Sequence, residues 1–177
     1  AILRKLSAIE SLGSVTVIAT DKTGTLTQND MRVTDVWMAG AAHKITALQA
    51  KRPAHIDELL EVGVLCNNAS LSLAYQGDKP AVIGDKTEGS LLLFAHDVKL
   101  SPEEFRDDGK LVEEFAFTSV LKMMTVIWKK GSKTSVLTKG APEAILAICD
   151  RYKTGEKITA LTPEQRKKIE TAFRSFA

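Results

Sequence analysis

Val15-Thr16-Val17-Ile18-Ala19-Thr20-Asp21-Lys22-Thr23-Gly24-Thr25-Leu26-Thr27-Gln28 is the stretch on which the reading of this chain turns. It opens on an apolar, β-branched run, Val15 to Ala19, without polar alternation. Such a run predicts a strand buried on both faces of a parallel sheet. Asp21 follows it, at the carboxyl end of the strand, where open α/β sheets place their ligands. Gly24 lets the backbone turn sharply and come close to a phosphate. Lys22 and the hydroxyls of Thr23 and Thr25 offer a charge and donors for phosphate oxygens. An aspartate so placed has the chemistry of a nucleophile that forms an aspartyl-phosphate. An ordinary strand running into a polar turn would have the same composition, so the literal string has to decide.

That string, DKTGTLT over Asp21 to Thr27, closely resembles the phosphorylation motif of P-type ATPases, the cation pumps of the haloacid-dehalogenase-like superfamily. The resemblance implies that Asp21 accepts the γ-phosphate of ATP, with Lys22, Thr23 and Thr25 around it. It also implies that Asp21 and the Thr23 carbonyl oxygen hold Mg²⁺. Simple phosphatases of the superfamily carry an aspartate two residues past the nucleophile, where this chain has Thr23. A threonine does not exchange protons readily at neutral pH, so the phosphoenzyme is expected to hydrolyse slowly. A pump needs that delay, because its conformational change precedes dephosphorylation.

The totals set the frame. The chain has 177 residues, 44% hydrophobic and 26% charged, the balance of a globular protein of one domain or one domain and a piece of another. A net charge of +2, with scattered Lys and Arg, gives no ground for nucleic acid or an anionic membrane as partner. Cys66 and Cys149 stand far apart with no CxxC, and His43, His55 and His96 show no ligand spacing. No apolar run reaches the roughly eighteen residues of a membrane span. If the chain is part of a pump, as the resemblance implies, it is expected to be a fragment from the cytosolic face of that membrane-embedded protein. Ile2, Leu6, Ile9 and Leu12 fall at helical spacing, which predicts a helix leading into the strand at Val15.

After the polar turn Gln28-Asn29-Asp30, the pattern changes. Val33 to Met38 and His43 to Leu48 predict short strands around Ala39-Gly40. A helix is expected from Ala54 or His55 to about Cys66, with Ile56, Leu59, Leu60, Val62, Gly63 and Cys66 inward, and a loop over Ser70 to Pro80. Thr87 to about Val98 predicts a helix. Ser101-Pro102-Glu103-Glu104 starts a short one, with Ser at the cap and Pro at the first position. Leu111 to Phe117, Met123 to Lys129 and Ser135 to Thr138 read as strands, the last two joined by a turn at Lys129 to Ser132. Helices follow from Pro142 and, after a second capping box at Thr162 to Gln165, from Pro163 onward. The fold class is α+β, an antiparallel sheet flanked by helices, preceded by a helix–strand piece of a haloacid-dehalogenase-like α/β domain. The domain boundary is expected at residue 30, with 1–30 and 31–177 as the two parts.

Three separated strings inside 31–177 form a second constellation: GDKTEGSLL from Gly84, Phe117-Thr118-Ser119 with Lys122-Met123-Met124, and KGAPE from Lys139. Taken singly, Phe117 reads as a core aromatic, Lys139 as a solvated charge, and Thr87-Glu88 as a helix start with good dipole chemistry. Taken in order, they resemble the nucleotide-binding domain of type II, calcium-pump-like P-type ATPases, and the resemblance runs across nearly the whole chain. It implies that Phe117 stacks on adenine and that Glu88 accepts from the adenine amino group. Lys139 would lie along the nucleotide, Gly140 keep the pocket floor open, and Lys122 line it with positive charge. No phosphate-wrapping GxxxxGK[ST] or GxGxxG occurs, so the nucleotide is expected to be held by its base end with the γ-phosphate free. The family often has an acidic residue followed by Arg or Lys where this chain has Val120 and Leu121. Calcium pumps of animal reticulum carry Arg where it has Ser119. These departures predict a weaker hold on the phosphates.

The family's later motifs, the DPPR-type linker, TGD and GDGxND, do not occur. ATP, Mg²⁺ and the remainder of the same pump (the rest of the phosphorylation domain, the actuator domain and the membrane helices) are the expected partners, and this piece alone is expected to be inactive. Calcium is the expected ion, another cation the alternative. A stand-alone ATP-binding regulator is a competing reading, as is a soluble phosphatase, against which Thr23 stands.

Overall fold

The computed structural model of the chain describes residues 14–53, 55–76 and 79–176. The chain divides into two compact units, Ala1–Asp30 and Met31–Ala177. The helix expected over Ala1 to Leu12 lies outside the described residues. In the first unit Val15 to Ala19 joins no sheet among the described residues, and Val15, Val17 and Ile18 are exposed. This corrects the buried strand expected there: a strand is buried on both faces only when others flank it. The polar segment after it is ordered by its own hydrogen bonds. Lys22–Leu26 forms a tight turn in which Gly24 has φ 78° and the Thr27 N–H donates to the Lys22 carbonyl at 3.2 Å.

The second unit begins with a hairpin, Asp35–Met38 (β1) against Ala41–Lys44 (β2), with Asp35 opposite Lys44 and Met38 opposite Ala41. Ala39 and Gly40 both have positive φ, as two-residue hairpin turns require to follow the strand twist. The strand expected through Leu48 stops at Lys44 and gives way to a helix, Ile45–Ala50 (α1). Ile45 and Leu48 are both buried. A spacing of three puts them on one face of a helix but on opposite faces of a strand.

Ile56–Leu65 (α2) is the element that joins the two halves of the core. Ile56, Leu60 and Val64, four apart, pack with Ile45, Leu48, Leu92 and Phe94, while Val62 and Cys66 join Met124 and Val126 on the other side. Leu59, expected inward, flanks this stripe and is largely exposed. The loop expected after Ser70 is instead a hairpin, Ser70–Gln76 (β3) with Lys79–Ile83 (β4), Ser70 opposite Ile83.

Lys86–Asp97 (α3) buries Leu92, Leu93, Phe94 and Ala95. Pro102–Asp107 (α4) begins under a Ser101 cap that accepts from the Glu104 N–H. Arg106 of α4 reaches back to the chain leaving α2, donating to the carbonyls of Asn67 at 3.3 Å and Ala69 at 3.0 Å. Positive charge suits a helix C-terminus, where carbonyls lack intrahelical partners.

Lys110–Thr118 (β5), Met123–Lys130 (β6) and Lys133–Gly140 (β7) form an antiparallel sheet in that order. Along β6, Met124, Val126 and Trp128 are buried and the residues between them are half-buried, so one face rests on the α2 side and the other is open. Pro142–Ile148 (α5) follows β7. A small hairpin, Arg151–Thr154 (β8) with Lys157–Ala160 (β9), comes next. Its side chains are mostly polar and exposed, so no apolar alternation announced it. Pro163–Phe176 (α6) starts on a reciprocal capping box: Thr162 Oγ1 accepts from the Gln165 N–H, and Gln165 Oε1 from the Thr162 N–H. The unit is thus α+β, with antiparallel strands flanked by helices.

Candidate functional site

The N-terminus of α3, the end of β5 and the end of β7 meet at a cleft of about 660 Å³, in the size range of small-ligand pockets. Asp85, Thr87, Glu88, Leu91, Phe117, Lys139, Gly140 and Ala141 line it. Each arrives for a local reason. Asp85 caps α3, its Oδ1 accepting from the Thr87 N–H at 2.8 Å and the Glu88 N–H at 3.0 Å. These backbone donors, that of Glu88 foremost, hold the Asp85 carboxyl below the ordinary carboxylate range. The cap fixes the first turn of α3, and Glu88 lies in that turn.

Glu88 is bonded through both of its carboxylate oxygens. Its Oε1 lies 2.6 Å from Lys139 Nζ, and its Oε2 accepts from the Asn68 N–H at 2.9 Å. Its carbonyl accepts from Asn67 Nδ2 at 2.9 Å. Lys139 comes from β7, where it stands opposite the buried Met124 and so points to the α2 side of the sheet. Phe117, near the end of β5, is 60% exposed. An exposed aromatic on a cleft wall is not a core residue, and its ring is available to a flat partner.

Gly140 stands opposite Met123 at the end of β7. A Cβ there would lie 2.4 Å from the Lys122 carbonyl oxygen and 2.7 Å from Met123 Cγ. The position therefore excludes side chains through close backbone approach, with the Ala141 N–H donating to the same Lys122 carbonyl at 2.9 Å.

Lys122 is the one residue of the expected nucleotide set that does not line this cleft. It sits in the β5–β6 turn at φ 54°, and its Nζ pairs with Glu143 Oε1 of α5 at 3.1 Å. The structure thus brings Glu88, Phe117, Lys139 and Gly140 together and leaves Lys122 in an exposed ion pair. Asn67, Asn68 and Glu114 are polar residues that the sequence reading passed over. Asn68 Nδ2 donates to Glu114 Oε1 at 2.8 Å. Their only mark in the sequence is an Asn pair at the end of a helix. Cys66, beside them, is buried, its Sγ 3.2 Å from the Met124 carbonyl, and burial pushes its thiol up.

Asp21, Lys22, Thr23 and Thr25 lie in the other unit and are all exposed. Asp21 Oδ1 accepts from the Thr23 N–H at 3.4 Å, a weak local bond that leaves the carboxylate open. Gly24 N–H donates to Thr27 Oγ1 at 3.3 Å. Among the described residues, no three His, Cys, Asp or Glu side chains cluster to hold a metal ion. Mg²⁺ is commonly held by one or two carboxylates together with waters and substrate phosphates, and an open carboxylate at Asp21 fits that chemistry.

No helix among the described residues is long and apolar enough to cross a membrane. Compared with known proteins, the chain is similar to a calcium-transporting ATPase of Bacillus subtilis (strain 168), 33% identical over 99% of this chain and 21% of that protein. It is similar to calcium-transporting ATPase 1 of Lactococcus lactis, 33% identical over 100% of this chain and 19% of that protein. A cation-transporting ATPase, pma1, of Synechocystis is 32% identical over 85% of the chain and 18% of its own length. The chain thus spans about a fifth of the length of these curated relatives. Residues 55–177, which hold the whole cleft, match the family described as P-type ATPase, cytoplasmic domain N, and the chain belongs to the P-type cation ATPases.

Proposed function

We propose that this chain is the nucleotide-binding part of an ATP-driven cation pump, together with the loop that carries the pump's phosphate acceptor. What supports the reading is that Glu88, Phe117, Lys139 and Gly140, drawn from segments far apart in sequence, line a single cleft. An aromatic face gives a base a stacking surface worth about 1–3 kcal/mol. Glu88 is acceptor-only when ionised and suits an exocyclic amine. Lys139 supplies a mobile charge, and the bare backbone at Gly140 lets a ligand lie close. Among the described residues, Asp85 and Glu88 line the cleft beside one lysine, Lys139, an electrostatic setting that favours a base over a triphosphate. The nucleotide enters base first and leaves its phosphates outside. Lys122, at the neighbouring turn, exchanges Glu143 for a phosphate oxygen.

In the whole pump, Asp21 Oδ attacks the γ-phosphorus, the bond to the β-phosphate oxygen breaks, and ADP leaves. Lys22, Thr23 and Thr25 offer a charge and donors to the transferred group. The Asp21 carboxylate and the Thr23 carbonyl would hold Mg²⁺, which neutralises charge developing on the phosphate oxygens. The parent lies in a membrane with this part on the cytosolic face. Its ion is calcium, by analogy with relatives named as calcium-transporting ATPases.

Titration of the chain with ATP, followed by backbone amide shifts, tests the reading. Shifts are expected around Glu88, Phe117 and Lys139. Shifts confined to the Asp21 turn, or none at all, overturn it.

A further inference from the structure

We infer that Glu114 and Asn68 are positioning residues that set the base selectivity of the cleft, by holding the Glu88 carboxylate in one orientation. The inference rests on the adenine-nucleotide reading above. Neither residue lies in the sequence strings that point to the cleft, and the structure joins them to it by a chain of hydrogen bonds.

The chain of bonds starts where α2 ends. Asn67 is buried and its side chain makes three hydrogen bonds: its Nδ2 donates to the Gly63 and Glu88 carbonyls, both at 2.9 Å, and its Oδ1 accepts from the Ala69 N–H at 2.8 Å. This clamps the backbone on both sides of residue 68. The Asn68 N–H then donates to Glu88 Oε2 at 2.9 Å, while its side-chain amide donates to Glu114 Oε1 at 2.8 Å. Glu114 stands on β5 opposite the buried Val126, on the face of the sheet turned toward α2. Asn68 is thus tied at two points, one to the sheet and one to Glu88.

With Lys139 on Oε1 and Asn68 on Oε2, each oxygen of Glu88 has one donor. An ionised carboxylate has about four acceptor sites, so each oxygen keeps capacity for another donor. A carboxylate held by a donor on each oxygen offers that capacity in set directions. A base with an amino group at that point gains a charge-assisted bond. A base with a carbonyl there sets acceptor against acceptor, with neither satisfied. If Asn68 is loosened, Glu88 can turn away from a carbonyl, and the discrimination falls.

The probes are ATP and inosine triphosphate, which differ by an amino group against an oxo group on the six-membered ring. Dissociation constants are measured by calorimetry on the chain and on Glu114→Ala, Glu114→Gln, Asn68→Ala and the double alanine variant, with a thermal melt of each. The wild-type chain is expected to prefer ATP. Glu114→Ala is expected to reduce that preference about threefold to tenfold, the worth of one hydrogen bond. Glu114→Gln, whose amide oxygen still accepts from Asn68, restores it. Asn68→Ala matches Glu114→Ala, and the double variant loses no more than either. Equal weakening toward both nucleotides, or an unchanged preference in Glu114→Ala, overturns the inference while leaving the nucleotide reading intact. A wild-type chain that binds neither nucleotide overturns both.

Discussion

Lys139 Nζ and Glu88 Oε1 meet at 2.6 Å across the cleft, joining the end of β7 to the first turn of α3. Both side chains are mostly covered, 23% and 17% exposed. The pair therefore lies between two regimes: exposed ion pairs contribute little, and buried ones leave a costly orphan charge when one partner is removed. Lys139→Met is expected to destabilise the unit by about 1–2 kcal/mol, because a mostly covered Glu88 is left without its cation. Glu88→Gln in the same background should cost less than it does alone. Urea midpoints of the two single variants and the double variant measure the coupling, and strict additivity would exclude it.

Phe117→Ala separates binding from folding. The ring is 60% exposed, so its removal takes little from the core. Nucleotide affinity should fall by about 1–3 kcal/mol if the base stacks on it. The melting temperature should stay near that of the parent. A large drop in melting temperature with unchanged affinity would make Phe117 a packing residue.

The contact between α3 and β4 depends on the absence of a side chain at Gly89. A Cβ there would lie 2.1 Å from Val82 Cγ1 and 2.8 Å from Cγ2. Gly89→Ala is expected to destabilise by about 1–3 kcal/mol through overpacking. Val82→Ala removes both methyls and should recover part of the loss. Since Glu88 precedes Gly89, the overpacked variant should also bind nucleotide less well, and the rescued double variant better.

Asp85 gives the stability of α3 a pH dependence. Its carboxyl lies below the ordinary range because the Glu88 and Thr87 N–H groups donate to the charged form. A depressed folded-state value means that the cap contributes fully above the ordinary carboxylate value and fades as pH falls through the folded one. Asp85→Ala should cost about 1 kcal/mol near neutral pH, as lost caps do. The gap between variant and parent should narrow below about pH 4, the ordinary aspartate value. Urea midpoints across that range provide the check.

The parts of this molecule that could be read from sequence are those set by neighbours along the chain. The α3 start followed to within a residue from Thr87 and Glu88, an acidic first turn suited to the helix dipole, and the α6 start from the Thr162 to Gln165 capping box, because both are signals within one turn; the Asp85 cap itself emerged only with the structure. Strands β5 to β7 followed from apolar runs broken by turn residues. The β3–β4 hairpin did not, because Gly77, Asp78, Lys79 and Pro80 read as a loop when strand pairing is unknown. The Lys122–Glu143 pair and the Asn68–Glu114 bond join residues brought near only by the sheet and by the end of α2. Polar residues of this kind carry no periodic mark, so their partners emerge only with the tertiary structure. Val15 to Ala19 erred the other way: its composition suits a buried strand, but burial depends on strands beside it.

Asp21 follows a segment that joins no sheet among the described residues. Its carboxylate is exposed, and the turn that carries it is held by local bonds from Thr23, Gly24 and Thr27. Among the described residues no second and third acidic group joins it in a metal-binding cluster. Phosphoryl transfer depends on aligning the acceptor with the γ-phosphate and on neutralising charge in the transition state. A displacement of about 1 Å from the reactive geometry already costs on the order of a hundredfold in rate. The 177-residue chain, incubated with γ-labelled ATP and Mg²⁺ and quenched in acid, should therefore bind nucleotide and take up no more than a trace of label. The whole pump should form an acid-stable, hydroxylamine-sensitive phosphoenzyme. Asp21→Asn in that pump should abolish the label, since the amide keeps the shape and loses the nucleophilic charge. It should leave ATP affinity unchanged, because Glu88, Phe117 and Lys139 line a cleft in the other unit. Persistent label in Asp21→Asn would move the acceptor elsewhere. Stoichiometric label on the isolated chain would mean that the Asp21 turn needs no further carboxylates to react.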